Sequence, residues 1–123
     1  MTKVYNVIEP KFDVDFLEDA FKFLKGQHEK VYEKIIYNID KARYTNDPKL
    51  FKKLRDDIWE FRTKYAGLQY RLFAFWDKSK PFKTLVIATH GMVKKTDKVP
   101  ENEINKTIEI KKQYLAQQLK SKK

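Results

Sequence analysis

The chain has 123 residues, 41 % of them hydrophobic, which suits one domain with a modest core and is too little for two. Lys and Arg number 27 against 17 Asp and Glu, a formal charge of +10 that calls for a polyanionic partner: nucleic acid, an acidic protein or an anionic membrane surface. Cysteine is absent, which excludes disulfides, thiol nucleophiles and cysteine zinc sites and suits the cytoplasm. No apolar run approaches the length of a membrane span, and Met1 to Asn6 lacks the h-region of a signal peptide. A membrane surface is the weakest of the three partners, because no stretch sets a solid Lys/Arg face against an apolar one.

In chain order, Val4 to Ile8 reads as a short strand closed by Glu9-Pro10. A helix is predicted from Asp13 or Asp15, either of which can cap it. Phe16, Leu17, Ala20, Phe21 and Leu24 form its apolar stripe, and Gly26 ends it. A second helix, from about His28 to Arg43, sets Val31, Ile35, Ile39 and Ala42 on one face, so the two helices form a hairpin. Asp47-Pro48 is a helix-start signal, and Leu50 to Leu54 reads as the single helical turn that it begins.

The period then changes to two. Ile58 to Thr63, Tyr70 to Trp76 and the nearly continuous apolar run Leu85 to His90 predict three strands. A turn at Ala66-Gly67 and a loop over residues 77–81 join them into an antiparallel meander. A last helix is predicted from about Pro100 to Leu119, with Ile104, Ile108, Leu115 and Leu119 facing inward. The expected order is β-α-α-β-β-β-α, an α+β fold with the helical hairpin packed on one face of an antiparallel sheet. Residues 1–119 form one domain in this reading, and 120–123 a basic tail.

Two arginines interrupt the apolar strands. If Tyr70, Leu72, Ala74 and Trp76 face the hairpin, Arg71, Phe73 and Phe75 share the opposite face. A mid-strand guanidinium needs open water or a partner such as Glu60 or Asp77. The functional alternative is a phosphate ligand, with Phe73 and Phe75 as stacking surfaces for a base. Lys94, Lys95 and Lys98 follow His90-Gly91 and are expected at the sheet edge beside that face. No His-x-Glu or HExxH spacing supports a metal, no glycine-rich phosphate loop exists, and no cofactor is expected.

Between Leu54 and Leu115 the chain carries Ile58-Trp59-Glu60-Phe61-Arg62, then Tyr70-Arg71-Leu72-Phe73. The series His90-Gly91-Met92-Val93-Lys94-Lys95-Thr96-Asp97-Lys98-Val99-Pro100-x-x-Glu103-Ile104 follows. This set resembles the RelE/HigB superfamily and looks closest to its phage-derived HigB-like branch. The helices holding Phe16-Leu17 and Glu33-Lys34-Ile35 are similar to that branch's hairpin. The specific part is Gly-x-x-Lys-Lys-Thr-x-Lys-x-Pro; Tyr-Arg alone would be weak.

The resemblance implies a RelE-like fold and the toxin of a bacterial type II toxin–antitoxin pair: a ribosome-dependent, metal-free mRNA endoribonuclease. Its partners would be mRNA, the ribosome and a cognate helix-turn-helix antitoxin. By position, Arg62 and Arg71 match basic residues of the exposed sheet face, and Lys94 and Lys95 match the basic pair after the last strand. His90 and Lys98 lie beside them. Catalysis would rest on Arg62, Arg71, Lys95 and His90, and RNA binding on Lys94, Lys98, Phe73 and Phe75. His90, or a lysine crowded by other cations, is the candidate base. The sequence departs from some members by having no Tyr at the start of the last helix, and by Glu60 where some relatives have Lys. A ParE-like gyrase inhibitor and a non-enzymatic nucleic-acid or antitoxin-binding module are the alternatives.

Overall fold

The structure, a computed structural model, describes residues 8–79 and 84–121. Its elements are β1 (Asp13–Phe16), α1 (Glu18–Lys25), α2 (Glu29–Ala42), β2 (Phe51–Lys53), β3 (Trp59–Tyr65), β4 (Leu68–Asp77), β5 (Leu85–Lys94) and α3 (Glu101–Ser121). Five strands form one sheet in the order β1-β5-β4-β3-β2. The meander β3 to β5 is antiparallel, as expected; β2 extends it with an antiparallel edge against β3, and β1 adds a parallel edge against β5.

The helical hairpin covers one face. Ala20 and Leu24 of α1 and Val31, Ile35, Ile39 and Ala42 of α2 pack on Phe61, Tyr70, Leu72, Ala74, Val86 and Ala88. These residues alternate along each strand, as a pleated ribbon with one face to each layer requires. On the other face α3 packs with Ile104 against Ile58, Phe75, Leu85 and Ile87. Tyr114 of α3 sets its ring edge-on to Phe75 at 5.3 Å and donates its hydroxyl to Asp77 at 2.6 Å.

Several expectations are corrected. Asp13 and Asp15 do not cap a helix: Phe12-Asp13-Val14-Asp15-Phe16 is itself an alternating pattern, and it pairs with Leu85 to Ala88. Helix α1 starts later, after Leu17, whose N–H donates to the Ala88 carbonyl at 2.9 Å. Phe16 and Leu17 therefore lie outside the helix, and Phe21 is half exposed. The turn expected at Leu50 to Leu54 is strand β2, where the Phe51 ring stacks on Trp59 and Phe61 at 4.7 and 4.4 Å. The strand read at Val4 to Ile8 falls on residues 1–7, outside the described residues, and Ile8 is an exposed residue in no strand. Leu119 points outward, 69 % exposed, and α3 carries Lys120 and Ser121 of the expected tail; Lys122 and Lys123 lie outside the described residues.

Strand β5 is longer than its apolar run, because its partner β4 extends to pair Gln69 with Lys94. Gly91 does not end it: a Cβ there would lie 2.4 Å from the Phe23 ring, so the glycine lets α1 approach the sheet. Between the pairs Phe73–His90 and Ala74–Ala88 the register slips by one residue, a bulge that leaves Thr89 extra. Before it, Ile87 shares the α3 face with Phe75; after it, His90, Met92 and Lys94 take that face opposite Phe73, Arg71 and Gln69. Without the bulge the strand's parity would send Lys94 to the hairpin side.

Candidate functional site

Antiparallel pairing of β3 with β4 sets Arg62 directly opposite Arg71 on the α3 face, with Glu60 two residues along β3 on that face. The Glu60 Oε2 accepts from Arg71 Nη1 at 3.0 Å and lies 3.8 Å from Arg62 Nε. Asp97, from the loop after β5, places Oδ1 3.5 Å from Arg71 Nη2 and 3.7 Å from Arg62 Nη2. Arg71 also donates to the Gln69 side-chain oxygen. Of the two alternatives for a mid-strand arginine, Arg71 has found its carboxylate: Glu60, and not Asp77.

The cluster is built in depth. Arg71 and Glu60 are each about 1 % exposed, and Lys94 is 9 % exposed. Arg62 stands nearer the rim with 18 % of its side chain exposed, and Asp97 lies in water at 70 %. Among the described residues, three buried side-chain atoms have no protein hydrogen-bond partner: Glu60 Oε1, Arg71 Nε and Lys94 Nζ. Buried donors and acceptors without protein partners are costly unless water or a polar ligand satisfies them.

Burial dominates the electrostatics. It pushes the Glu60 carboxyl up, against the pull of Arg71 and Arg62. Burial also pushes the Lys94 ammonium down, and the Arg71 charge adds to that effect. Arg71 is lowered by the same desolvation and held up chiefly by Glu60. Asp97 is held below the usual carboxylate range by a hydrogen bond from Gln69 and by the charges of Lys64, Arg71 and Arg62. Three cations (Arg62, Arg71, Lys94) thus meet two anions (Glu60, Asp97), and the cleft keeps an excess of positive charge.

The predicted residues divide. Arg62, Arg71 and Lys94 come together as described. Lys95 and Lys98 are exposed on the loop over residues 95–100 that carries Asp97. Phe73 and Phe75 are on the expected face but fully buried, so neither offers a ring to a base. His90 is 4 % exposed, stacked on Phe73, and held at both ring nitrogens: Nδ1 by Thr89 and Nε2 by Glu103, each at 2.9 Å. Burial pushes its pKa down, the Glu103 hydrogen bond opposing. A ring held at both nitrogens has no lone pair aimed at a substrate.

Glu60 was foreseen only as a possible partner of Arg71, and Gln69 and Asp97 were missed. Glu60 lies two residues before Arg62 in an alternating strand, which is the signal for a shared face. No local signal marks Asp97, which reaches the cleft only by loop closure. Aromatic surface with nearby lysines occurs elsewhere, where Trp59, Trp76, Lys53, Lys78 and Lys111 line a cleft of about 600 Å³.

Fold and site together define an α+β protein of RelE-like architecture, with an arginine pair on the sheet face opposite its helical hairpin. The chain belongs to the phage-derived protein Gp49-like family (DUF891), whose model matches residues 22–112. That span runs from within α1 to within α3 and includes every residue of the cationic cleft. The family is toxin-like, of the RelE/HigB type, and is associated with the toxins of toxin–antitoxin pairs, which implies an antitoxin partner. No curated protein matches the chain.

Proposed function

We propose that the protein is the toxin of a type II toxin–antitoxin pair and acts as a ribosome-dependent, metal-free mRNA endoribonuclease. The observation that carries this reading is the Arg62–Arg71 pair, set face to face on adjacent strands beside the partnerless Lys94 ammonium. In metal-free cleavage the 2′-oxygen attacks the adjacent phosphorus and the bond to the 5′-oxygen breaks, leaving a 2′,3′-cyclic phosphate and a 5′-hydroxyl. Negative charge grows on the non-bridging oxygens during that step. Guanidinium groups fixed in advance stabilise it without reorganisation. Glu60 serves as a positioning residue, since one of its oxygens orients both arginines.

Lys94 is the group we assign to accept the 2′-hydroxyl proton; the departing 5′-oxygen takes its proton from water. Desolvation and the neighbouring Arg71 lower the Lys94 pKa, which raises its neutral, basic fraction near neutral pH. A ribosome that positions the mRNA supplies the orientation that a cleft this small lacks. The antitoxin, a helix-turn-helix protein in this reading, would block access to the same face. One observation favours a second reading, a non-enzymatic antitoxin-binding module: Arg71 is buried against Glu60 like a structural ion pair.

The test is an in vitro translation reaction with purified protein, read by primer extension on the mRNA. Cuts in ribosome-bound codons that vanish with Arg62→Ala support the nuclease. In cells induced for the protein, intact mRNA together with growth arrest and DNA breaks would indicate a gyrase inhibitor, and neither effect would leave the binding module.

A further inference from the structure

Asp97 stands out among the described groups of the cleft as the carboxylate that lies on a loop and largely in water. Its Oδ1 sits between two guanidinium groups from separate strands, 3.5 and 3.7 Å from their Nη2 atoms. Both distances exceed the 2.7–2.9 Å of a strong charge-assisted hydrogen bond. The contrast with Glu60 is direct: Glu60 is buried and bonded to Arg71 at 3.0 Å, whereas Asp97 is 70 % exposed on a loop. Glu60 is the fixed counter-ion of the arginine pair, and Asp97 is the exchangeable one.

We propose that the Asp97 carboxylate is an internal anion occupying the seat of the substrate phosphate between Arg62 and Arg71, so that RNA binds by displacing it. The inference rests on reading this cleft as an RNA-phosphate site. A carboxylate oxygen between two guanidinium groups makes the contacts that a non-bridging phosphate oxygen would make. Charge also exchanges like for like, one monoanion leaving as one phosphodiester arrives, so displacement leaves the net charge of the cleft unchanged. Asp97 lies between Lys95 and Lys98 in the chain, so a loop that lifts the carboxylate carries two ammonium groups towards the backbone of the incoming strand. The resting protein is thereby self-occupied and weak for free RNA.

The experiment compares the unaltered protein, Asp97→Asn and Glu33→Gln for binding to a single-stranded 2′-O-methyl oligoribonucleotide, which cannot be cleaved, by fluorescence anisotropy at two salt concentrations. Glu33→Gln makes the same charge change on α2, at an exposed position on the hairpin side. Asp97→Asn is expected to bind about two- to fivefold tighter, the scale of exposed ion-pair energies, with Glu33→Gln close to the unaltered protein. Equal affinities for the two variants would overturn the proposal, and so would no binding by any of the three. Neither result touches the ribosome-dependent cleavage assay, which judges the nuclease reading separately. Tighter binding by Asp97→Asn without mRNA cleavage would leave the anion seat standing and the nuclease reading refuted.

Discussion

The Arg71 guanidinium and the Glu60 carboxylate meet at 3.0 Å with 1 % and 2 % of their side chains exposed, which makes them a buried ion pair beneath a candidate active site. Removing one partner of such a pair strands the other's charge and costs about 3–5 kcal/mol. Arg71→Ala is therefore expected to lower stability by about that amount, as read from urea denaturation, so its loss of activity alone would not define a role. The double variant Glu60→Leu/Arg71→Met removes both charges and should recover most of the lost stability. An Arg71→Ala protein as stable as the original would show that the pair is not energetically coupled.

Arg62 gives the cleaner test of chemistry. It lies partly in water, and its Glu60 contact is longer at 3.8 Å. Arg62→Ala should lower stability by only about 1 kcal/mol, because its carboxylate contacts, at 3.7 and 3.8 Å, lie beyond hydrogen-bond length. Its cleavage rate should fall on the order of 100- to 1,000-fold, the usual cost of losing one donor to a developing oxyanion. Single-turnover cleavage on stalled ribosomes measures the second quantity, and an unchanged rate would take Arg62 out of the mechanism.

Lys95 and Lys98 are exposed, and in the proposed reading they meet the RNA phosphate backbone generally. Replacing either by Ala should weaken RNA binding uniformly across sequences. The slope of log affinity against log salt should shrink by about 0.7 per lysine, as release of one counterion from a single strand requires. Sequence-dependent losses would contradict this role.

His90 ties stability to pH. Burial depresses its folded pKa, while Glu103 opposes. The unfolded chain then takes the proton more readily, so this contribution is intact above about pH 6.5 and is lost as pH falls through that value towards the folded pKa. The urea midpoint should be lower at pH 5.5 than at pH 7.5, and His90→Gln should show a smaller drop. A midpoint that rises on acidification would mean that the Glu103 contact outweighs burial.

The β3–β4 turn carries strain that can be removed. Ala66 and Gly67 both have positive φ, 49° and 80°, a conformation that a side chain disfavours. Ala66→Gly relieves the Cβ clash but frees the unfolded chain, for a net gain on the order of 0.5 kcal/mol. Thermal or urea denaturation would reveal it, and a loss of stability would show that the Ala66 methyl makes a contact of value.

Strands β3 to β5 were readable because the period changes to two over Ile58 to Thr63 and Tyr70 to Trp76, Leu85 to His90 is an apolar run of strand length, and a glycine marks the tightest turn. The second helix was readable for the corresponding reason, a 3.6-residue apolar stripe opened by a cap, with His28 Nδ1 accepting from the Lys30 N–H. Edge strands β1 and β2 were misread because they are short and contain residues with other common uses. Asp13 and Asp15 look like helix caps, and Asp47-Pro48 looks like a helix start. Pairing with a neighbour, which is non-local, decided both.

For the cleft, the sequence alone determined that basic residues would gather on the sheet face opposite the hairpin: side chains of a strand alternate, so Arg62 and Arg71 follow from the positions of their apolar neighbours. Tertiary structure decided which charges complete the cluster. A single bulge at Thr89 turns Lys94 towards Arg71, and loop closure brings in Asp97. It also buried Phe73 and Phe75 beneath α3, since hydrophobic rings on an otherwise open face are covered by whatever apolar surface the rest of the chain can supply. Register and docking are set by energies summed over the whole sheet and both its layers, and no local pattern of residues encodes them.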